Sequence, residues 1–183
     1  ANTAGQLGLG HLQDQLVPTR LPFAQRMLAV AAGATHNLAI DTRHRVWAWG
    51  SNQHGQLGDK LRTYSTEPSL VSLPEPATQI AAGLYVSYAL GLSGQLYAWG
   101  WNAKGQLGQG HINALVGAQA VIGLPAQKLL AVGQGHVLAS DGSQVWGWGD
   151  NRSGQLGSVK ALEVRPVLLA SANQPTQLRQ DPA

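Results

Sequence analysis

Six histidines and six tryptophans are the side chains of this 183-residue chain that invite a chemical reading. Imidazoles near neutral pH can bind a metal or relay a proton. His36 and His136 stand at the same place in two related segments, "AAGATHNLAI" and "AVGQGHVLAS", and Val86 stands there in a third, "AAGLYVSYAL". A position that one copy gives to valine reads as a buried hydrogen-bonding site rather than a ligand or a base. His11 and His111 each follow a Gly-Gln-Leu-Gly run, two repeats apart, so they read as exposed loop residues that cannot share one ion. His44 and His54 have no equivalents and carry no pattern. The nine acidic residues are scattered, with no repeated pair placed for general acid and base work. There is no phosphate loop, no G-x-S-x-G elbow and no zinc spacing. The absence of cysteine removes disulfides and thiolate sites. The expectation is therefore no catalytic residue, no metal and no cofactor.

Tryptophans can also build a ligand platform or a chromophore array. Trp47, Trp49, Trp99, Trp146 and Trp148, however, recur at matching places where aromatic area fills an interface. Trp101 breaks the pattern: it takes the place of Ser51 and Asp150, and reads as a surface contact residue. Arg43, Arg45, Lys60 and Arg62 lie close in sequence, but the net charge is only +3 and no dense basic run exists. Solvated loops are expected there, and nucleic acid is not the expected partner.

These residues ride on a repeat. "WGSNQHGQLG" (49–58), "WGWNAKGQLG" (99–108) and "WGDNRSGQLG" (148–157) follow one another at 50 and 49 residues, and the chain opens with a related "ANTAGQLG". A fixed period of this length marks a repeat architecture. Each period holds an apolar run ending at Gly33, Gly83 or Gly133, a second short apolar segment, an aromatic strand such as "RVWAWG", and a looser segment with prolines. That makes four strands, the last an edge strand where a proline is tolerated. Twenty-three glycines and nine prolines suit many strands and tight turns. The fold class is all-β, a β-propeller of four-stranded antiparallel blades, about three of them complete. The expected units are 1–26 (outer strand of a preceding blade and linker), 27–75, 76–125 and 126–172 (blades), and 173–183 (start of a broken-off repeat, or tail). Structural roles fall to Gly33, Gly83 and Gly133; to Trp49, Trp99 and Trp148; and to Gly50, Gly100 and Gly149. Asn52, Asn102 and Asn151 are expected to close turns, with Leu57, Leu107 and Leu156 plugging seams.

The segments "AAGATHNLAI" with "VWAWGSNQHGQLG", "AAGLYVSYAL" with "LYAWGWNAKGQLG" and "AVGQGHVLAS" with "VWGWGDNRSGQLG" resemble the regulator-of-chromosome-condensation repeats, over nearly all of the chain. The resemblance implies a ring of about seven blades, completed by further blades of the same gene product or by another chain. It implies several unrelated activities, among them nucleotide exchange on a GTPase, ultraviolet sensing and accessory domains of ubiquitin ligases. The photoreceptor pattern Gly-Trp-Arg-His-Thr is absent. The function expected is a non-catalytic protein–protein interaction module that presents variable loops. The alternatives are an exchange factor or effector acting on a small GTPase, and a structural spacer of a larger surface protein. Candidate contacts with a protein partner are Arg43, Arg45, Arg62, Tyr64, Tyr85, Trp101 and His111. With 44% hydrophobic residues the chain can bury a core, but no apolar run reaches the length of a membrane span. Its Gln- and Ala-rich composition leans bacterial and extracytoplasmic or cell-surface.

Overall fold

The computed structural model describes residues 1–60 and 62–172; the expectation for 173–183 lies outside them. The described strands are β1 (Met27–Ala32), β2 (His36–Asp41), β3 (Val46–Ser51), β4 (Tyr64–Leu70), β5 (Ala77–Ala82), β6 (Val86–Gly91), β7 (Leu96–Gly100), β8 (Leu115–Ala120), β9 (Leu129–Val132), β10 (His136–Ser140), β11 (Gln144–Asp150) and β12 (Leu162–Ser171). They form three antiparallel four-stranded sheets, each in chain order. The burial of each strand follows its place. β6 and β7 of the middle sheet are buried at every residue, because a neighbouring sheet covers each face. The first strand β1 alternates between half-buried and exposed.

Alternate side chains of the middle sheet feed two cores. Ala89, Tyr97 and Trp99 pack with Leu38, Ile40 and Val46 of the first blade. Val86, Tyr88, Leu90 and Leu96 pack with Val137, Trp146 and Trp148 of the third. Pro68 and Pro166 lie in the outermost strands β4 and β12, within stretches where the pairing register slips, so neither deprives a ladder of a donor. The same slip recurs beside Gly50, Gly100 and Gly149, whose φ angles are 102°, 105° and 102°. A Cβ on Gly50 or Gly100 would stand 2.5 Å from the carbonyl oxygen of Thr35 or Tyr85, so these positions demand glycine.

The segment 1–26 departs from the sequence reading. No strand forms there; β1 is the first, at Met27. An outer strand needs the third strand of its own blade to satisfy its backbone, and none of the described residues supplies one. The Gly-Gln-Leu-Gly corner nevertheless closes, with Gly5 N–H donating to Asn2 O and Gly8 N–H to Gly5 O, at 3.0 and 2.9 Å.

Candidate functional site

Each corner is built by its asparagine. The Asn52 Oδ1 accepts the Leu57 N–H at 2.8 Å, and its Nδ2 donates to the carbonyls of Asp59 and Arg62 at 2.7 and 2.8 Å. Asn102 binds Leu107, His111 and Asn113 in the same way, each at 2.9 Å. Asn2 repeats the pattern with Leu7, His11 and Gln13. The corner then clips onto the next blade, where an indole Nε1–H donates to its glutamine carbonyl. The pairs are Trp49 to Gln6 at 3.0 Å, Trp99 to Gln56 at 2.9 Å and Trp148 to Gln106 at 2.8 Å. A second donor joins from the adjacent strand, Asn37 to Gln6 and Ser87 to Gln56, at 2.6 and 2.7 Å. Ser87 Oγ also lies 2.9 Å from His36 Nε2. Burial lowers the His36 pKa from 6.5 to about 4, against the opposing effect of a backbone hydrogen bond at Val86. His36 is thus a neutral structural imidazole at the seam of blades one and two.

Strand direction sorts the loops onto two faces. The first-to-second-strand turns (33–35, 83–85) and the corners open on one, here the corner face. The second-to-third-strand turns (42–45, 92–95) open on the other, the turn face. The candidate contact residues therefore divide. Arg62, Tyr64, Tyr85, Trp101 and His111 lie on the corner face, and Arg43 and Arg45 on the turn face. Arg45 is held in place: its Nε donates to Asp41 Oδ2 at 2.8 Å and its guanidinium lies 5.3 Å from the Trp47 ring centroid. Burial alone would raise the Asp41 pKa. Hydrogen bonds from Trp47, from Arg45 and from the Arg43 backbone outweigh it and hold the carboxyl at about 2.

On the corner face, Tyr85 and Trp101 come together with His54, which the sequence left without a pattern. The ring centroids are 4.8 Å apart for His54 and Tyr85, 6.1 Å for Tyr85 and Trp101, and 6.3 Å for His54 and Trp101. The three sites are one structural position: the residue before a Gly-Gln-Leu-Gly, the residue closing the next blade's first turn, and the residue after its Trp-Gly. At the preceding junction that position holds Ala4, Thr35 and Ser51, and at the following one Lys104, Gly135 and Asp150. There Lys104 Nζ stands 4.0 Å from Asp150, whose carboxylate also accepts from Arg152 Nε at 2.9 Å and Nη2 at 2.7 Å. The Arg152 hydrogen bonds hold the Asp150 pKa down at about 2, against burial. Aligning these three positions across junctions is the signal by which sequence could have found His54.

Among the described residues, no three His, Cys, Asp or Glu side chains gather closely enough to hold a metal ion, and no helix is long and apolar enough to cross a membrane.

The model of the "Regulator of chromosome condensation (RCC1) repeat" matches residues 1–40, 43–90 and 93–139. Among curated proteins, human "Probable E3 ubiquitin-protein ligase HERC6" is 37% identical over 178 residues, covering 90% of this chain and 17% of HERC6. Among solved structures, human WBSCR16 superposes with a TM-score of 0.80 at 27% identity, covering 92% of this chain and 47% of WBSCR16. Yeast RCC1 (Prp20), solved bound to Kap60, also gives a TM-score of 0.80, at 22% identity, covering 93% of this chain and 43% of its own. The chain thus spans less than half of each of these proteins.

Proposed function

The chain belongs to the regulator of chromosome condensation (RCC1) repeat family, with the β-propeller blades of that fold, and from that premise we propose that it acts as a non-catalytic protein-interaction module. Its contact region is the corner face around His54, Tyr85 and Trp101, and its ring is completed by further blades from the same polypeptide or another. The observation that carries this reading is the aromatic cluster itself. Blade packing requires the corner asparagine, the glycines and the buried indole at every junction, and all three junctions have them. It does not require aromatic rings at the solvent edge, since the neighbouring junctions close with Ala4, Thr35 and Ser51 or with an ion pair. Clustered Trp and Tyr side chains that keep partial exposure are the preferred anchors of protein interfaces. Yeast RCC1 bound to Kap60 is an instance of a protein of this fold engaging another protein.

The test borrows the protein's own alternative. Converting the second junction to the residues of the first, with His54→Ala, Tyr85→Thr and Trp101→Ser, should leave the melting temperature unchanged. Quantitative affinity capture should then lose the partner proteins that the unaltered chain retains, while Arg43→Ala on the turn face keeps them. An identical set of captured proteins at identical abundance would place the contact surface elsewhere.

A further inference from the structure

We propose that the corner face receives an acidic polypeptide segment, whose carboxylates meet Lys104 and Arg152 while an adjoining apolar or aromatic side chain rests on Tyr85 and Trp101. This rests on the reading of that face as the contact surface and adds the chemistry of what binds it.

The first support is the charge of the corner loops. Along the corner loops of the three blades and the strand ends beside them (51–63, 101–114, 150–163), the cations Lys60, Arg62, Lys104, Arg152 and Lys160 meet three carboxylates, Asp59, Asp150 and Glu163, the last 3.7 Å from Lys160. The corner loops of the blades thus carry a net positive charge, which attracts acidic partners and speeds their encounter.

The second support is local. One carboxylate, Asp150, serves two cations, so a cation's worth of charge stays uncompensated beside the aromatic cluster. The Arg152 side chain is 63% exposed and reachable from solvent. The third is shape. Where the second junction has Tyr85, the third has Gly135. A side-chain carbon there would meet nothing nearer than Asp150 at 3.4 Å and Lys104 at 3.6 Å. The aromatic ridge thus adjoins a notch floored by the Lys104–Asp150 pair, and Trp101 and Lys104 belong to the same corner. A ridge that takes an apolar group, three residues from a notch that takes an anion, suits an extended segment carrying both. A nucleic acid would need a dense cationic stripe, and these cations are dispersed among three corners.

Peptide display on the intact chain, followed by fluorescence anisotropy of the best synthetic peptide, tests this. The enriched sequences should pair Asp or Glu with an aromatic or aliphatic residue, and binding should weaken as salt rises. Lys104→Glu with Arg152→Glu should weaken binding by at least about tenfold. Lys104→Gln with Arg152→Gln, gentler on Asp150, should act in the same direction. If the His54, Tyr85 and Trp101 conversion abolishes binding while both charge variants leave it unchanged, the face stands and its acidic chemistry falls. If neither change matters, the reading of the face falls as well. Enrichment of basic or uncharged peptides, no enrichment at all, or tighter binding to a single-stranded oligonucleotide than to the peptide would each overturn the proposal.

Discussion

The corner at 102–108 and the corner at 151–157 have nearly the same sequence and different surroundings. Both close identically from within: Asn151 accepts the Leu156 N–H at 2.7 Å and donates to the carbonyls of Ser158 and Lys160, as Asn102 does with its own loop. Yet Gln106 is 1% exposed beneath Trp148, whereas Gln155 is exposed. Gly105 has the Cα of Val164 within 3.0 Å of where its Cβ would be, and Gly154 has nothing within 4 Å. The histidines tell the same story: His36 is buried against Ser87 of the following blade, and His136, at the same register, is half-buried. The loop closes itself, and its burial is a property of what packs on it.

The largest effect should come from a filled seam. Trp99→Ala removes a fully buried indole and one of the two donors to the Gln56 carbonyl, and should cost about 3–5 kcal/mol in urea unfolding. A loss below about 1 kcal/mol would mean that the seam is not what holds the blades together.

The next effect is a pH dependence. The folded-state pKa of His36, about 4, is below its ordinary 6.5, so the unfolded chain takes up the proton first as pH falls. Stability from this group is complete above about pH 6.5 and declines toward pH 4, by about 3 kcal/mol in all. His36→Val, which copies the residue at Val86, should flatten that part of the profile. An unaltered slope would show that another group titrates there.

The smallest effect sharpens the contrast most. Gly105→Ala and Gly154→Ala place a Cβ at φ angles of 65° and 72°, so they share the same backbone strain. Only Gly105→Ala also presses on Val164, and it should be the more destabilising by about 1 kcal/mol. Equal melting temperatures would mean that the corner at 105 is as loosely held as the one at 154.

Much of this architecture is legible in the sequence. The period, the strand count and the Asn, Gly and Leu of each corner are short-range features, since a turn of a few residues contains its own donors and acceptors. The seam partners were only half legible: repetition marked Trp49, Trp99 and Trp148 as packed, but not that each indole reaches the preceding blade's glutamine carbonyl. Sequence variability groups Arg43 and Arg45 with Tyr85 and Trp101, although they open on opposite faces. Sequence gives His54 no pattern because its ring neighbours are 31 and 47 residues away along the chain.

By itself, then, the sequence determined the repeated blade and its self-closing corner, because those depend on backbone conformation and hydrogen bonds within a few residues. The tertiary structure alone decided which corner meets which blade, which loops share a face, and where charge and aromatic rings accumulate. The physical reason is that strand alternation assigns a side chain to one side of its own sheet, while adjacency between sheets comes from the packing of whole blades.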